Sequence, residues 1–243
     1  MAVNQLIANL VDKRSKHNPT DCPAQSCMLC GATARDISRL CPGCIQDLPA
    51  NLVACPVCAR PMPYAMPCPA CLKNNRGNIH SSIALFLYQY PVNLLIRDMK
   101  FNGKLSIART LGYLIAEALL QKATLLPECI VPVPLHPARL AQRGYNPAIE
   151  IARPLAGILE LPLEKQLCKR IKPTKTQTRL SAVERKQNMR NAFIVRGKIR
   201  YRHIAIIDDV MTTGATTEAL AKTLVDAGAT RIDVWACARA SLG

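Results

Sequence analysis

The stretch Ile204-Ala205-Ile206-Ile207-Asp208-Asp209-Val210-Met211-Thr212-Thr213-Gly214-Ala215-Thr216-Thr217 decides how this 243-residue chain folds. Its first four residues form a continuous apolar run, the pattern of a strand buried on both faces of a sheet. Asp208 and Asp209 end that run, where open α/β sheets bind their ligands. Downstream, Ala219, Leu220, Thr223 and Leu224 recur at helical spacing over 216–227, and Gly228 is the stop. Ile232, Val234 and Ala236 supply a further strand. Strand, helix and strand in this order predict a parallel pair inside an α/β sheet.

A helix start presents unpaired N–H groups and the favourable end of its dipole, so Thr212, Thr213, Gly214, Ala215 and Thr216 suit a phosphate monoester. Gly214 removes a side chain where backbone must approach an anion, and the threonine hydroxyls add donors. Two adjacent carboxylates repel a bare phosphate but suit sugar hydroxyls or a divalent ion. The combined ligand is a ribose bearing a phosphate. Simple capping by Asp208 or Thr216 accounts for one or two of these residues and not for the set. The stretch is neither a G-x4-G-K-[ST] loop nor a G-x-G-x-x-G turn.

The spacing of Leu105, Ala108, Leu111, Ile115, Ala118 and Leu119 predicts a helix over 104–122. Cys129 to Val133 reads as a short strand, and 146–160 as a second helix blurred by Pro147, Pro154 and Gly157. The basic, threonine-rich segment 167–180 reads as a loop and 181–190 as helical. Lys73 to Asn78 is polar and contains a glycine, so a domain boundary is expected there. The expected organisation is an N-terminal extension (1–25), a cysteine-rich module (26–76) and an α/β domain (77–243).

Eight of the 12 cysteines fall into four C-x2-C pairs: Cys27/Cys30, Cys41/Cys44, Cys55/Cys58 and Cys68/Cys71. Two such turns supply the tetrahedral four-sulfur shell that zinc accepts, so four pairs imply two sites. With every ligand a thiolate, no coordination position is open to water, and the sites are expected to be structural. A disulfide framework needs an oxidising compartment, and an iron–sulfur centre lacks its tandem C-x2-C-x2-C signature here. Pairing stays open: consecutive pairs are simplest, but nearly equal intervals let the middle two share an ion. Cys22 lies outside the pattern, while Cys129, Cys168 and Cys237 read as buried residues on or beside strands.

The net charge is +16, and residues 164–203 carry 13 Lys and Arg against 2 acidic residues. A local field of that size favours phosphate-rich partners. Lys169, Arg170, Lys172, Arg179, Arg185, Lys186 and Arg190 are the candidate nucleic-acid contacts. With only three Phe, six Tyr and one Trp in the chain, contact would run mainly to phosphates. An apolar content of 49% argues against a disordered chain. The apolar runs are too short to cross a bilayer, and MAVNQLIANLVDKR lacks a preceding basic stretch and a small-residue cleavage signal. Neither a membrane span nor export is expected, and the cytoplasm is the expected compartment.

The acidic-threonine stretch resembles the ribose-5-phosphate motif of type I phosphoribosyltransferases. From about residue 26 to residue 240, the chain is similar to the ComF/GntX family, associated with DNA uptake in natural transformation. That resemblance implies an N-terminal double zinc ribbon and a type I phosphoribosyltransferase-like domain with a central, mostly parallel sheet. It implies phosphoribosyl pyrophosphate (PRPP) with Mg²⁺ as ligand, and Asp208 and Asp209 as the catalytic carboxylates at the ribose. Lys100-Phe101-Asn102-Gly103 resembles the family's lysine-aromatic element. Val131-Pro132-Val133-Pro134-Leu135-His136, then Arg139 and Arg143-Gly144-Tyr145-Asn146, resemble its pyrophosphate region. Thr174-Lys175-Thr176-Gln177 lies in the segment matching the superfamily's mobile loop. Lys100, Arg139 and Arg143 are therefore expected at the pyrophosphate, and Lys175, Thr176 and Gln177 over the ligand. Phosphoribosyl transfer, single-stranded DNA binding without transfer, and a zinc-dependent adaptor for other competence proteins all remain open.

Overall fold

A computed structural model describes residues 24–35, 38–73, 78–122, 125–172 and 191–240. Lys175, Thr176, Gln177, Arg179, Arg185, Lys186 and Arg190, the helix expected over 181–190, and Cys22 lie outside these residues.

The cysteine-rich module begins with two short antiparallel strands, β1 (Gln25–Ser26) and β2 (Thr33–Ala34). Two one-turn helices follow, α1 (Pro42–Gln46) and α2 (Pro69–Lys73), each starting on the proline after a cysteine. Proline is favoured there because its missing N–H has no partner at a helix start.

The α/β part runs β3 (Ser81–Leu87), α3 (Val92–Phe101), α4 (Leu105–Gln121), β4 (Cys129–Pro132), α5 (Pro137–Arg143) and α6 (Pro147–Leu159). The antiparallel pair β5 (Cys168–Arg170) and β6 (Phe193–Val195) is followed by β7 (His203–Met211), α7 (Ala215–Asp226) and β8 (Arg231–Arg239). Four strands form one parallel sheet in the order β3-β8-β7-β4. Its centre is buried on both sides, which is why β7 and β8 read as near-continuous apolar runs. Alternation sends Ala205, Ile207, Trp235 and Cys237 into a core with α3, α4 and α6. Ile204, Ile206, Val234 and Ala236 face the other way, onto α7 and the β5–β6 pair.

The helices expected over 104–122, 146–160 and 216–227 end within one residue of the observed bounds. Helices α4 and α6 meet closely at Gly112, where an added Cβ would lie 2.3 Å from the Ile151 carbonyl oxygen. The main departure is β7. The expected strand stops at Ile207, but the ladder to β8 continues through Asp208 opposite Ala236 to Met211 opposite Arg239. Both carboxylates therefore lie inside the strand. Backbone pairing with β8 outlasts the apolar run because it does not depend on side-chain polarity.

The cysteine-rich module packs onto the edge of this sheet. Ala50 bridges Phe86 antiparallel, the Asn51 N–H donates to Leu85 O at 2.9 Å, and the Leu87 N–H to Pro49 O at 2.7 Å. Leu40, Ile45 and Leu48 join the same apolar cluster as Phe86, Ile96 and Leu111. Among the described residues, no helix is long and apolar enough to cross a membrane.

Candidate functional site

Pleating turns adjacent strand residues to opposite faces, and Asp208 and Asp209 follow that rule. Asp209 faces α3, where Lys100 Nζ lies 2.6 Å from its Oδ1. Burial opposes the charge on Lys100, but Asp209 and then Asp208 outweigh it and hold the ammonium above its ordinary range. Lys100, expected at the pyrophosphate, is thus engaged by a carboxylate. On the other face, burial first and the Asp209 charge second push the Asp208 carboxyl up to about 7. Lys100, the Asp209 N–H donating at 2.9 Å and Arg170 pull it back.

Arg170 was expected among the nucleic-acid contacts, yet it is only 7% exposed at the end of β5. Its guanidinium stands 5.6 Å from the centre of the Phe193 ring and within electrostatic reach of Asp208 and Arg139. Burial, then Arg139, lower its pKa from the ordinary value, and Asp208 opposes them. Lys169 and Lys172 of the same segment are exposed. Arg143, on the helix that also carries Arg139, stacks over Phe101 at 5.3 Å, beside Lys100. The α5–α6 corner is held by Asn146, whose side chain donates to Val133 O and accepts from the Ala148 N–H. The Tyr145 hydroxyl donates to Met99 O, fixing this corner against α3. His136 caps α5 through Nδ1.

After Met211 the chain turns at Thr212 and Thr213 into Gly214, whose φ of 80° lies in the left-handed region that glycine adopts without strain. Helix α7 starts at Ala215, whose N–H donates to Thr213 Oγ1 at 3.3 Å. Thr217 Oγ1 donates to Gly214 O, so this hydroxyl serves the turn itself. The carboxylates of β7, Lys100 of α3 and the Arg170 guanidinium thus gather at the C-terminal end of the sheet, with Arg139 near enough to act on the charge of Arg170 and the turn into α7 following on the same strand. Sequence reasoning missed Arg170 as part of this set and Arg239 altogether. No local signal marks Arg170, which follows Lys169 in a basic run, whereas Arg239 closes a strand of mostly apolar residues.

The eight cysteines gather as Cys27, Cys30, Cys41 and Cys44, and as Cys55, Cys58, Cys68 and Cys71, which is the consecutive pairing. Within each group the sulfurs lie within 4.8 Å of one another. Measured separations are 3.5 Å for Cys30–Cys41, 3.7 Å for Cys55–Cys71 and 3.8 Å for Cys58–Cys68. A tetrahedral ion with Zn–S bonds of about 2.3 Å needs sulfurs about 3.8 Å apart, so both groups fit structural zinc. A disulfide sulfur pair would stand at about 2.0 Å, far shorter than these separations. Burial opposes ionisation of Cys27 and Cys55, yet nearby backbone N–H groups outweigh it and bring them down to about 6 and about 7. In the second cluster the Cys68 N–H donates to Cys55 Sγ at 3.3 Å.

These features define an α/β protein with a parallel four-stranded sheet and an N-terminal region built for two zinc ions. The double zinc ribbon domain family matches residues 22–72. Competence protein F of Haemophilus influenzae is 36% identical over 209 residues, covering 83% of this chain and 90% of its own. DNA utilization protein YhgH of Salmonella typhimurium is 33% identical over 205 residues, 82% of this chain and 90% of that one. Competence protein ComFC of Streptococcus pneumoniae is 27% identical over 230 residues, 88% and 99% of the two chains. The chain belongs to the ComF family of competence proteins. A purine phosphoribosyltransferase from Pyrococcus horikoshii aligns with 54% of this chain at 19% identity and a TM-score of 0.32, a likeness too low to carry an argument.

Proposed function

We propose that this chain is a cytoplasmic DNA-uptake protein whose α/β domain binds PRPP with Mg²⁺ and transfers its phosphoribosyl group. The supporting observation is the pair Asp208 and Asp209, turned to opposite faces of β7 just before a left-handed glycine opens α7. In this reading the N–H groups at the start of α7 and the Thr213 and Thr216 hydroxyls bind the 5′-phosphate. The carboxylates accept hydrogen bonds from the ribose hydroxyls, with Asp209 oriented by Lys100. Arg139 and Arg170 meet the pyrophosphate, where guanidinium forks suit paired oxygens. Asp208 and Asp209 are also hard oxygen donors of the kind Mg²⁺ takes, and the ion would neutralise pyrophosphate charge. The C1–O bond breaks, pyrophosphate leaves with the electron pair, and the acceptor nucleophile bonds to C1. The carboxylates stabilise the positive charge that develops on the sugar.

The test is pyrophosphate release from PRPP across a panel of nucleophiles, with Asp208→Asn/Asp209→Asn as control. Acceptor-dependent turnover absent from the control supports transfer. None from folded, zinc-loaded protein counts against transfer.

A second reading, single-stranded DNA binding, draws on the 13 basic against 2 acidic residues over 164–203. Exposed Lys169 and Lys172 are its described candidates. Phosphate-dominated binding weakens steeply with salt. An affinity unmoved by salt, or by Lys169→Glu with Lys172→Glu, would remove this reading.

A further inference from the structure

Arg239 closes β8, is 1% exposed, and is among the largest fully buried side chains of the described residues. Its Nε donates to Cys58 O at 3.0 Å. Its Nη1 donates to Met211 O at 2.8 Å, to Thr212 O, and to Ala240 O at 3.2 Å. One side chain therefore joins a zinc-ligand knuckle to the two residues that lead into the Gly214 turn. We propose that Arg239 is a positioning residue for this turn and that it makes the second cysteine cluster part of the turn's support.

Peptide geometry gives the reason. In a trans peptide the C=O and the following N–H point in opposite directions. Holding the Thr212 carbonyl on Arg239 therefore aims the Thr213 N–H away from Arg239, and holding Met211 does the same for Thr212. The same logic operates at the other end. The Cys58–Ala59 peptide gives its carbonyl to Arg239 and its N–H to Cys55 O at 2.8 Å. Ala59 sits at a φ of 54°, a conformation that a non-glycine residue keeps only when its surroundings hold it. A metal bound by Cys55, Cys58, Cys68 and Cys71 fixes that knuckle. The knuckle fixes the Arg239 Nε, and the rigid plane of the guanidinium carries the constraint across to Nη1. A lysine keeps the charge but cannot reach both partners with one planar fork. This proposal deepens the sugar-phosphate reading and rests on it for its link to ligand binding; the coupling itself does not.

The experiment measures amide hydrogen exchange, zinc release and PRPP affinity on the full-length, zinc-loaded chain. Arg239→Lys should keep two zinc ions and native protection in β3 and α6. It should raise exchange across Thr212–Ala215 by about tenfold, the size expected for lost hydrogen bonds to a charged group. Coupling is reciprocal in binding free energy, so one zinc ion and not the other should bind more weakly and be lost to a chelator sooner. Cys68→Ser, which removes a ligand without touching Arg239, should raise exchange at Thr212–Ala215 in the wild-type background and add little in Arg239→Lys. Cys30→Ser, in the first cluster, should leave those amides unchanged. If Cys68→Ser does not fold, the release rates in Arg239→Lys decide. Unchanged exchange at Thr212–Ala215, full additivity of the two substitutions, or equal acceleration of both zinc ions would overturn the proposal. Where wild type binds PRPP, Arg239→Lys should weaken it about tenfold. Where it does not, the sugar-phosphate reading fails while exchange still decides the coupling.

Discussion

Lys100 Nζ lies 2.6 Å from Asp209 Oδ1 and so ties the last turn of α3 to the end of the central strand. Both side chains are largely buried, at 21% and 15% exposure, and the lysine also lowers the pKa of Asp208. Lys100→Met should therefore do two things. It should cost about 2 kcal/mol of stability in denaturant unfolding, the scale of breaking a partly buried charged pair. It should also raise the Asp208 carboxyl above its wild-type value in a carboxyl-carbon titration. A stability loss without any change at Asp208 would show that the lysine acts by packing alone.

Asp208 gives the site a pH dependence whose sign follows from its pKa, raised from 3.8 to about 7. The folded chain holds this proton more tightly than the unfolded chain, so its contribution to stability falls as pH rises from about 4 to about 7. Ribose hydroxyl donors and a divalent ion both favour the ionised carboxylate. Affinity for PRPP at saturating Mg²⁺ should accordingly rise with pH and level off above about 7, by up to about tenfold per unit. In Asp208→Asn the profile should flatten to the ligand's own phosphate titration near pH 6. A wild-type profile already flat would place the titrating proton elsewhere.

Metal analysis should return two zinc ions per chain. Because Leu40, Ile45 and Leu48 share a core with Phe86 and Leu111, stripping zinc should not release a module that unfolds alone. Thermal unfolding should remain one transition and move down by on the order of 10 °C. Two separate transitions, the upper one unmoved, would contradict the shared core.

At the opposite end of the sheet, Asp233 gathers Ser81 Oγ at 2.8 Å, His203 Nε2 at 2.7 Å and Arg231 Nη2 at 3.3 Å. The cluster fastens the starts of β3, β7 and β8 together, and Asp233 is 4% exposed. Asp233→Ala should cost about 3 kcal/mol by leaving buried donors without their acceptor. It should not change PRPP affinity in calorimetry at a temperature where the variant is folded, because the proposed ligand site lies at the far ends of these strands.

Much of this arrangement is legible in the sequence. Periodicity gives α4, α6 and α7 almost to the residue, and the C-x2-C pairs identify all eight ligands of the two clusters. Local patterns do not show which residues meet across the fold. His203 carries no sign of its partner thirty positions away, although an aspartate between Ile232 and Val234 signals that a buried charge must find one. Arg170 looks like one more cation in a basic run, and only the β5–β6 pairing turns it inward. The pleat that separates Asp208 from Asp209 follows from a strand longer than its apolar core, which hydropathy does not reveal.

Whether a sugar phosphate lodges at this strand end is decided by calorimetry of PRPP with Mg²⁺, comparing wild type with Asp208→Asn/Asp209→Asn at matched zinc content. Wild type should show saturable one-to-one binding, and the variant at least a tenfold loss. Absence of heat from folded wild type, or equal affinity in the two proteins, would contradict a sugar-phosphate site there.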